Sequence, residues 1–108
     1  MKNVEHRFSI RKTAAVNALI NYDFAYSKRA KINNLSLSGA LVKMDETPDL
    51  PTGARVETVL ALGQGKEQIA YRLPANVVRV DGNTLALKFR SCDDRAYTAL
   101  VNFLYATS

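Results

Sequence analysis

Two arginines four positions apart give the first chemical signal in this sequence. Arg7 and Arg11 lie in the stretch "EHRFSIRKTAAV", ahead of the first segment with a strand-like pattern. A guanidinium group pairs bidentately with phosphate oxygens and also matches the O6 and N7 acceptors of guanine. The pair therefore indicates a site for an anion, although basic residues near an N-terminus can also serve solubility alone.

A second group of polar and small residues occurs in "NLSLSG" at positions 34–39. Asn34 can present an amide oxygen or nitrogen, and Ser36 carries a hydroxyl that both donates and accepts hydrogen bonds. Gly39 has no Cβ, so its backbone can approach a ligand closely or adopt a positive φ. The arginine spacing is common by chance in a chain with eight arginines, whereas the second pattern is rare, so the second pattern carries more weight.

Catalytic chemistry has little support in the sequence. The chain has one histidine, His6, and one cysteine, Cys92, so no Cys/His metal cluster and no internal disulfide can form. The ten acids are scattered, and the glycine-rich "GQGKE" at 63–67 is a turn rather than a phosphate-binding loop. We therefore predict neither an enzyme nor a bound metal or cofactor, and we interpret Cys92 as a bystander.

Charge and hydropathy narrow the class of protein further. The chain of 108 residues has a net charge of +5, and residues 1–31 hold seven Lys/Arg against two acids. Such asymmetry favours an anionic partner, or it marks only a solvated basic face. No apolar run is long enough to span a membrane, and the N-terminus lacks the apolar stretch of a signal peptide, which predicts a cytoplasmic protein.

Alternating apolar residues predict a series of strands. The first begins at Val16, "GALVKM" gives a strand with alternate residues inward, and "ARVETVLAL", "EQIAYRLPANVVRV" and "TLALKF" follow. The polar "AYSKRAKINN" is expected to be a loop or an edge strand, with its lysines and arginines discouraging edge pairing. Pro74 predicts a bulge or an edge position, and Asp81-Gly82 predicts a hairpin turn.

The pattern changes to helical spacing in the last segment. Tyr97, Leu100, Val101 and Leu104 define an apolar stripe, and "SCDD" resembles a capping box that begins at Ser91. Five or six antiparallel strands followed by one helix predict a small β-barrel, with the helix covering an open end.

These motifs together resemble those of the PilZ family of cyclic di-GMP receptor domains. "RFSIR" at 7–11 and "NLSLSG" at 34–39 match both family motifs, R-x-x-x-R and [D/N]-x-S-x-x-G, and the similarity extends over nearly the whole chain. It implies a mainly β fold, a six-stranded antiparallel split barrel with a C-terminal α-helix at about 91–106. Residues 1–12 would form a flexible N-terminal arm, and residues 13–108 the barrel with its helix.

The resemblance also implies a function and a site. The chain would be a bacterial second-messenger receptor that orders its arm over cyclic di-GMP and signals to a downstream partner protein. Arg7 and Arg11 would jointly contact phosphates and guanines, and Asn34, Ser36 and Gly39 would complete the site. Lys12 and Ser38 are candidate accessory contacts, although a plain surface position is favoured for each.

Two other functions remain open at this point. A small basic barrel could bind RNA or single-stranded DNA through exposed aromatic residues, but Tyr22, Phe24 and Phe89 fall on positions predicted to face the core, so a nucleic-acid polymer is disfavoured. A ligand-independent adaptor could use the helix face for protein interaction. Relatives that act in that way usually lack the arginine arm, which this chain has.

Overall fold

The computed structural model of the protein describes residues 16–23, 25–63 and 65–105. Phe24 and the predicted arm therefore lie outside the described residues. Six strands and one α-helix form in this part of the chain, with a short 3₁₀ helix between the fourth and fifth strands. The elements are β1 (Val16–Tyr22), β2 (Tyr26–Leu35), β3 (Gly39–Met44), β4 (Arg55–Leu62), the 3₁₀ helix (Gly65–Glu67), β5 (Ile69–Asp81), β6 (Thr84–Phe89) and α1 (Asp94–Tyr105).

The six strands close into an antiparallel barrel in the order β1-β2-β3-β6-β5-β4, with β4 pairing back to β1. The predicted barrel with a C-terminal helix is therefore confirmed. Alternate side chains of each strand fill the interior, as the period-two pattern predicted. The most deeply buried large apolar residues are Ile20, Ile32, Leu35, Leu60, Leu73, Leu85 and Leu100.

Strand β2 decides between the two structures predicted for its segment. "AYSKRAKINN" is a strand rather than a loop. It pairs with β1 from Tyr26 to Ile32 and with β3 from Ala30 to Leu35, so residues 26–29 are unpaired on the β3 side. Its basic side chains, Lys28, Arg29 and Lys31, are exposed. Lys28 and Arg29 lie on the part of β2 that pairs with β1 alone, which agrees with the predicted role of basic residues at a strand edge.

Pro74 confirms the predicted edge position, because it pairs with β4 but not with β6, and it does not form the alternative bulge. Its register with β4 is continuous, since Pro74 lies opposite Glu57, so there is no bulge at the proline. On the other side, the β5–β6 ladder ends at the pair Ala75 and Phe89, and the amide of Arg90 donates to the Pro74 carbonyl at 2.8 Å. Because proline has no N–H to return that bond, the ladder stops there.

Two β-bulges occur elsewhere, one in β2 and one in β5. In β2, Ile32 lies opposite Val42 and Asn34 lies opposite Leu41, which leaves Asn33 as the extra residue. In β5, Val77 lies opposite Leu87 and Arg79 lies opposite Ala86, which leaves Val78 as the extra residue. An extra residue reverses the alternation of side chains for the rest of the strand.

The β5–β6 hairpin confirms the turn predicted at "VDGN". Asp81 and Thr84 pair, and Gly82 and Asn83 form the two-residue loop between them. Gly82 has a φ of 62°, in the left-handed region that a tight hairpin turn requires and that glycine adopts without strain. The Asn83 carbonyl accepts a hydrogen bond from the amide of Met44 at 2.9 Å, which ties the turn to β3.

Helix α1 begins three residues later than the sequence pattern suggested. The carboxylate of Asp93 accepts a hydrogen bond from the Ala96 amide at 2.8 Å, so Asp93 is the N-cap and the capping box at Ser91 was wrong. The helix packs against β4 and β5.

The buried stripe of α1 is Ala96, Leu100 and Leu104, whereas Tyr97, predicted to lie on the stripe, is 51% exposed. Successive residues lie about 100° apart around a helix. Because the buried stripe begins at Ala96 rather than at Tyr97, the tyrosine lies outside the contact between the helix and the barrel. Within the described ranges, no helix has the length and apolar character needed to cross a bilayer.

The position of the N-cap yields a stability prediction. Asp93→Ala removes the acceptor of the Ala96 amide and is expected to lower the free energy of unfolding by about 1 kcal/mol. Ser91→Ala is the matched control, and we expect it to change stability by less than about 0.5 kcal/mol. Urea denaturation followed by circular dichroism measures both, and a larger loss in Ser91→Ala than in Asp93→Ala would contradict the assignment.

Candidate functional site

A pocket of about 430 Å³ opens on the outer face of the barrel, where β2, β3, β6 and β5 lie side by side. Its walls come from the β2–β3 turn on one side and from the β5–β6 hairpin on the other. The lining residues are Asn34, Ser36, Ser38, Gly39, Ala40, Leu41, Val78, Arg79, Ala86, Leu87 and Lys88.

One row of side chains crosses the pocket through four strands. Asn34 pairs with Leu41, Leu41 pairs with Ala86, and Ala86 pairs with Arg79. Neighbouring strands are about 4.8 Å apart, so three steps separate the backbones of Asn34 and Arg79 by about 14 Å. The half-buried Leu41 and Ala86 form an apolar floor between a neutral amide and a guanidinium group.

The two bulges place the ends of this row on the outer face. In β2 the inward residues are Ile32 and then Leu35, and in β5 they are Val77 and then Val80. Without the extra residue in each strand, strict alternation would turn Asn34 and Arg79 towards the apolar interior. The bulges therefore turn two polar side chains outward at the same level of the barrel.

Ser36 shapes the wall of the pocket through hydrogen bonds within its own turn. Its hydroxyl accepts from the amides of Ser38 and Gly39, both at 3.2 Å, and lies 3.2 Å from the Gly39 carbonyl and from the Ser38 hydroxyl. The Ser36 amide donates to the Gly39 carbonyl at 2.9 Å. The Ser36 side chain is buried, and its hydrogen bonds to residues two and three positions later fix the β2–β3 turn.

Gly39 is required by a close approach of two strands rather than by a special backbone angle. A Cβ at this position would collide with the carbonyl oxygen of Leu87 and would lie 3.2 Å from its carbonyl carbon. Gly39 pairs with Lys88, and the carbonyl of Ser38 accepts from the amide of Phe89 at 2.9 Å. Of the two roles that the sequence left open for Gly39, a positive φ does not apply, since the glycines with positive φ in the described ranges are Gly53, Gly63 and Gly82.

The pocket carries positive charge. Arg79 and Lys88 line it and are exposed, and none of its described lining residues is acidic or aromatic. Within residues 16–23, 25–63 and 65–105, Arg72 forms an ion pair with Glu57, whereas Arg79 and Lys88 form none. Val78, the extra residue of the β5 bulge, adds a 52% exposed apolar side chain to the same wall.

The predicted site residues divide into two sets. Asn34, Ser36, Ser38 and Gly39 line one pocket together. The remaining predicted contacts, Arg7, Arg11 and Lys12, lie outside the described residues.

Sequence reasoning missed the β5–β6 side of the pocket, above all Arg79 and Lys88. The available signal was the apolar pattern of "LPANVVRV", in which Leu73, Ala75 and Val77 alternate but the next inward residue is Val80. That break in alternation indicates a bulge, but only the strand pairing shows that the bulge faces the "NLSLSG" turn.

The described part of the chain also carries metal-ligating residue types and a cysteine outside this pocket. No group of three or more His, Cys, Asp or Glu residues is placed to hold a metal there. Burial, and secondarily the carboxylate of Asp93, raises the pKa of the Cys92 thiol. A raised thiol pKa lowers the thiolate fraction at neutral pH, which agrees with the interpretation of Cys92 as a bystander.

Residues 5–106 match the model of the PilZ domain family, which covers almost the whole chain. The chain therefore belongs to the PilZ domain family. No curated protein shows a significant sequence match to this chain.

Three solved structures share the fold. The Bacillus subtilis inhibitor of motility (MotI/DgrA) has a TM-score of 0.77 at 16% identity, over 88% of this chain and 47% of that one. The PilZ domain of CeSA from a cellulose-synthesizing bacterium has a TM-score of 0.70 at 18% identity, over 88% of this chain and 94% of that one. The Borreliella burgdorferi PlzA protein, solved in complex with c-di-GMP, has a TM-score of 0.57 at 13% identity, over 93% of this chain and 37% of that one. The chain thus spans about half the length of the motility inhibitor, and at these identities the likeness is one of fold.

The contact between Gly39 and β6 yields a second prediction. Gly39→Ala forces β3 away from the Leu87 carbonyl and is expected to lower the free energy of unfolding by about 1–3 kcal/mol. Thermal or urea denaturation measures this loss. An unchanged free energy of unfolding would show that the strands do not approach as closely as described.

Proposed function

We propose that this protein is a cyclic di-GMP receptor that binds the dinucleotide in the outer-face pocket and closes its N-terminal segment over it. The observation that carries the proposal is the convergence of Asn34, Ser36, Ser38 and Gly39 on one basic pocket. Membership of the PilZ domain family supports the ligand, and so does the PlzA structure, which contains c-di-GMP. The proposed activity is binding and signalling, with no chemical reaction.

Each end of the pocket has a chemical counterpart in the ligand. Cyclic di-GMP carries two phosphates and two guanines. The amide oxygen of Asn34 suits the N1 and N2 donors of guanine, and the apolar floor of Leu41 and Ala86 suits the flat face of a base. The basic side of the pocket suits the phosphates.

The chain length allows Arg7 and Arg11 to reach this pocket. Val16, the first residue of β1, pairs with Ile32, two residues before Asn34 in the neighbouring strand. Val16 therefore lies close to the pocket wall. Arg11 precedes Val16 by five residues, and five residues of extended chain reach about 17 Å. We propose that the guanidinium groups of Arg7 and Arg11 cover the bound ligand.

Closure of this segment would turn binding into a signal. Ordering residues on binding costs conformational entropy, so affinity falls below the sum of the contacts, but the closed segment presents a new surface. We propose that a partner protein recognises that surface. The neighbouring structures, an inhibitor of motility and a PilZ domain of CeSA, are consistent with PilZ domains acting together with other protein parts.

The arginine pair gives a direct test of the proposed site. Arg7→Ala and Arg11→Ala should each weaken cyclic di-GMP binding by at least about tenfold, the scale of a lost charged hydrogen bond. Isothermal titration calorimetry measures the affinity, and Arg95→Ala on α1 is a control with the same change in charge. Unchanged affinity in both N-terminal variants would remove these arginines from the site.

The apolar floor gives an independent steric test. Ala86→Leu adds volume to the floor on the outer face and is expected to weaken cyclic di-GMP binding by at least about tenfold while leaving the core intact. Ala61→Leu on the outer face of β4, outside the pocket, is the matched control. If Ala86→Leu binds as tightly as the wild type, the ligand does not occupy this pocket.

Competition separates the proposed ligand from nucleic acid. We expect cyclic di-GMP binding to persist in excess GTP, and a gel shift with RNA or single-stranded DNA oligonucleotides to show no complex at the same protein concentration. None of the described pocket residues is aromatic, so this surface lacks the stacking platform that single-stranded nucleic acid requires.

A further inference from the structure

We infer that Arg79 and Lys88 form a second pair of phosphate contacts, on the wall of the pocket opposite Asn34. This inference rests on the proposed function, since it assigns additional residues to the same ligand. Neither residue belongs to the two motifs that the sequence presents, and neither is adjacent to them in the chain.

The position of Arg79 follows from the β5 bulge. Val77 faces the interior and Val78 is the extra residue, so Arg79 takes the outward position opposite Ala86. Arg79 thus lines the pocket at the opposite end of the row that Asn34 begins. Bulges beside binding sites commonly re-aim a side chain in this manner.

Lys88 reaches the same space from the next strand. It pairs directly with Gly39 on one side and Asn76 on the other, and it lies two residues beyond Ala86 on the same face of β6. Because Gly39 has no side chain, β3 lies close against the β6 backbone at Leu87 and Lys88. Lys88 lines the pocket together with Ser36 and Ser38 of the neighbouring turn.

The two cations repel one another unless an anion lies between them. Arg79 and Lys88 are diagonal neighbours on adjacent strands, a relation that separates backbones by about 7–8 Å and lets long side chains meet. No acidic residue lines the pocket in the described ranges, and no ion pair there involves either side chain. A bound phosphate would relieve the repulsion, which is why this arrangement favours an anionic group over a neutral base.

The presence of Lys88 indicates whether this wall contacts a phosphate or a guanine of the ligand. Arginine can recognise either phosphate or the O6 and N7 edge of guanine, whereas an ammonium group is a point charge without a planar fork. A pair that includes lysine therefore suits a phosphate. The pocket would then hold a guanine towards Asn34 and a phosphate towards Arg79 and Lys88.

Calorimetry at two salt concentrations tests this assignment on the full chain. Arg79→Ala and Lys88→Ala should each raise the Kd for cyclic di-GMP by about tenfold at 50 mM salt, the scale of one charge-assisted hydrogen bond. The dependence of Kd on salt, measured between about 50 and 250 mM, should become flatter in both variants because a screened contact has been removed. Arg79→Lys keeps the charge and should keep the wild-type salt dependence.

Arg29→Ala is the matched control, because Arg29 lies on the outer face of β2 and outside this pocket. Urea denaturation of every variant shows whether folding is preserved, and Arg79→Gln replaces Arg79→Ala if the alanine variant is unstable. Binding by Arg79→Ala and Lys88→Ala that equals binding by Arg29→Ala would overturn the inference while leaving the proposed function in place. A wild-type protein that does not bind cyclic di-GMP at all would instead overturn the proposed function, and this inference with it.

Discussion

The pocket depends on two places where the regular alternation of a β-strand is interrupted. A strand sends successive side chains to opposite faces, so one extra residue exchanges inside for outside in everything that follows. The bulges at Asn33 and Val78 do this in β2 and β5, the two strands that flank the central β3–β6 pair. Their combined effect is a polar side chain at each end of one outward row, with apolar residues still filling the barrel on either side of each bulge.

The "NLSLSG" segment serves the architecture as much as any ligand. The Ser36 hydroxyl is committed to the amides of its own turn, and Gly39 lets β3 lie against the Leu87 carbonyl. Both interactions fix the geometry of the pocket wall. Asn34 differs from them. Its half-buried side chain lines the pocket and makes no hydrogen bond to another described residue. Within one short motif, therefore, two residues build the wall and one is available to contact a ligand.

Charge is balanced differently in the pocket row and in a row of side chains on the opposite side of the barrel. On the outer face opposite the pocket row, Arg72 is neutralised by Glu57, which also accepts from Asn21, and Asn21 accepts from Ser27. This row of hydrogen bonds crosses four strands and leaves little unbalanced charge. The pocket row has no such compensation, because Arg79 and Lys88 face a floor of Leu41 and Ala86. The pocket row thus presents two cations without an acidic partner among the described residues that line the pocket.

The sequence by itself determined the strand and helix content, the inward residues of most strands, the Asp81-Gly82 turn and one side of the pocket. It could do so because hydrophobic periodicity and turn chemistry are local properties that short windows reveal. The Asp93 cap is a local hydrogen bond, which the sequence pattern assigned to Ser91 instead. The pairing of β2 with β1 and β3 and the termination of the β5–β6 ladder beyond Ala75 were decided by tertiary structure. So was the meeting of Asn34 with Arg79 and Lys88, residues more than forty positions apart. Closure of the barrel sets these relations, since strand neighbours and register depend on contacts between segments that no local pattern encodes.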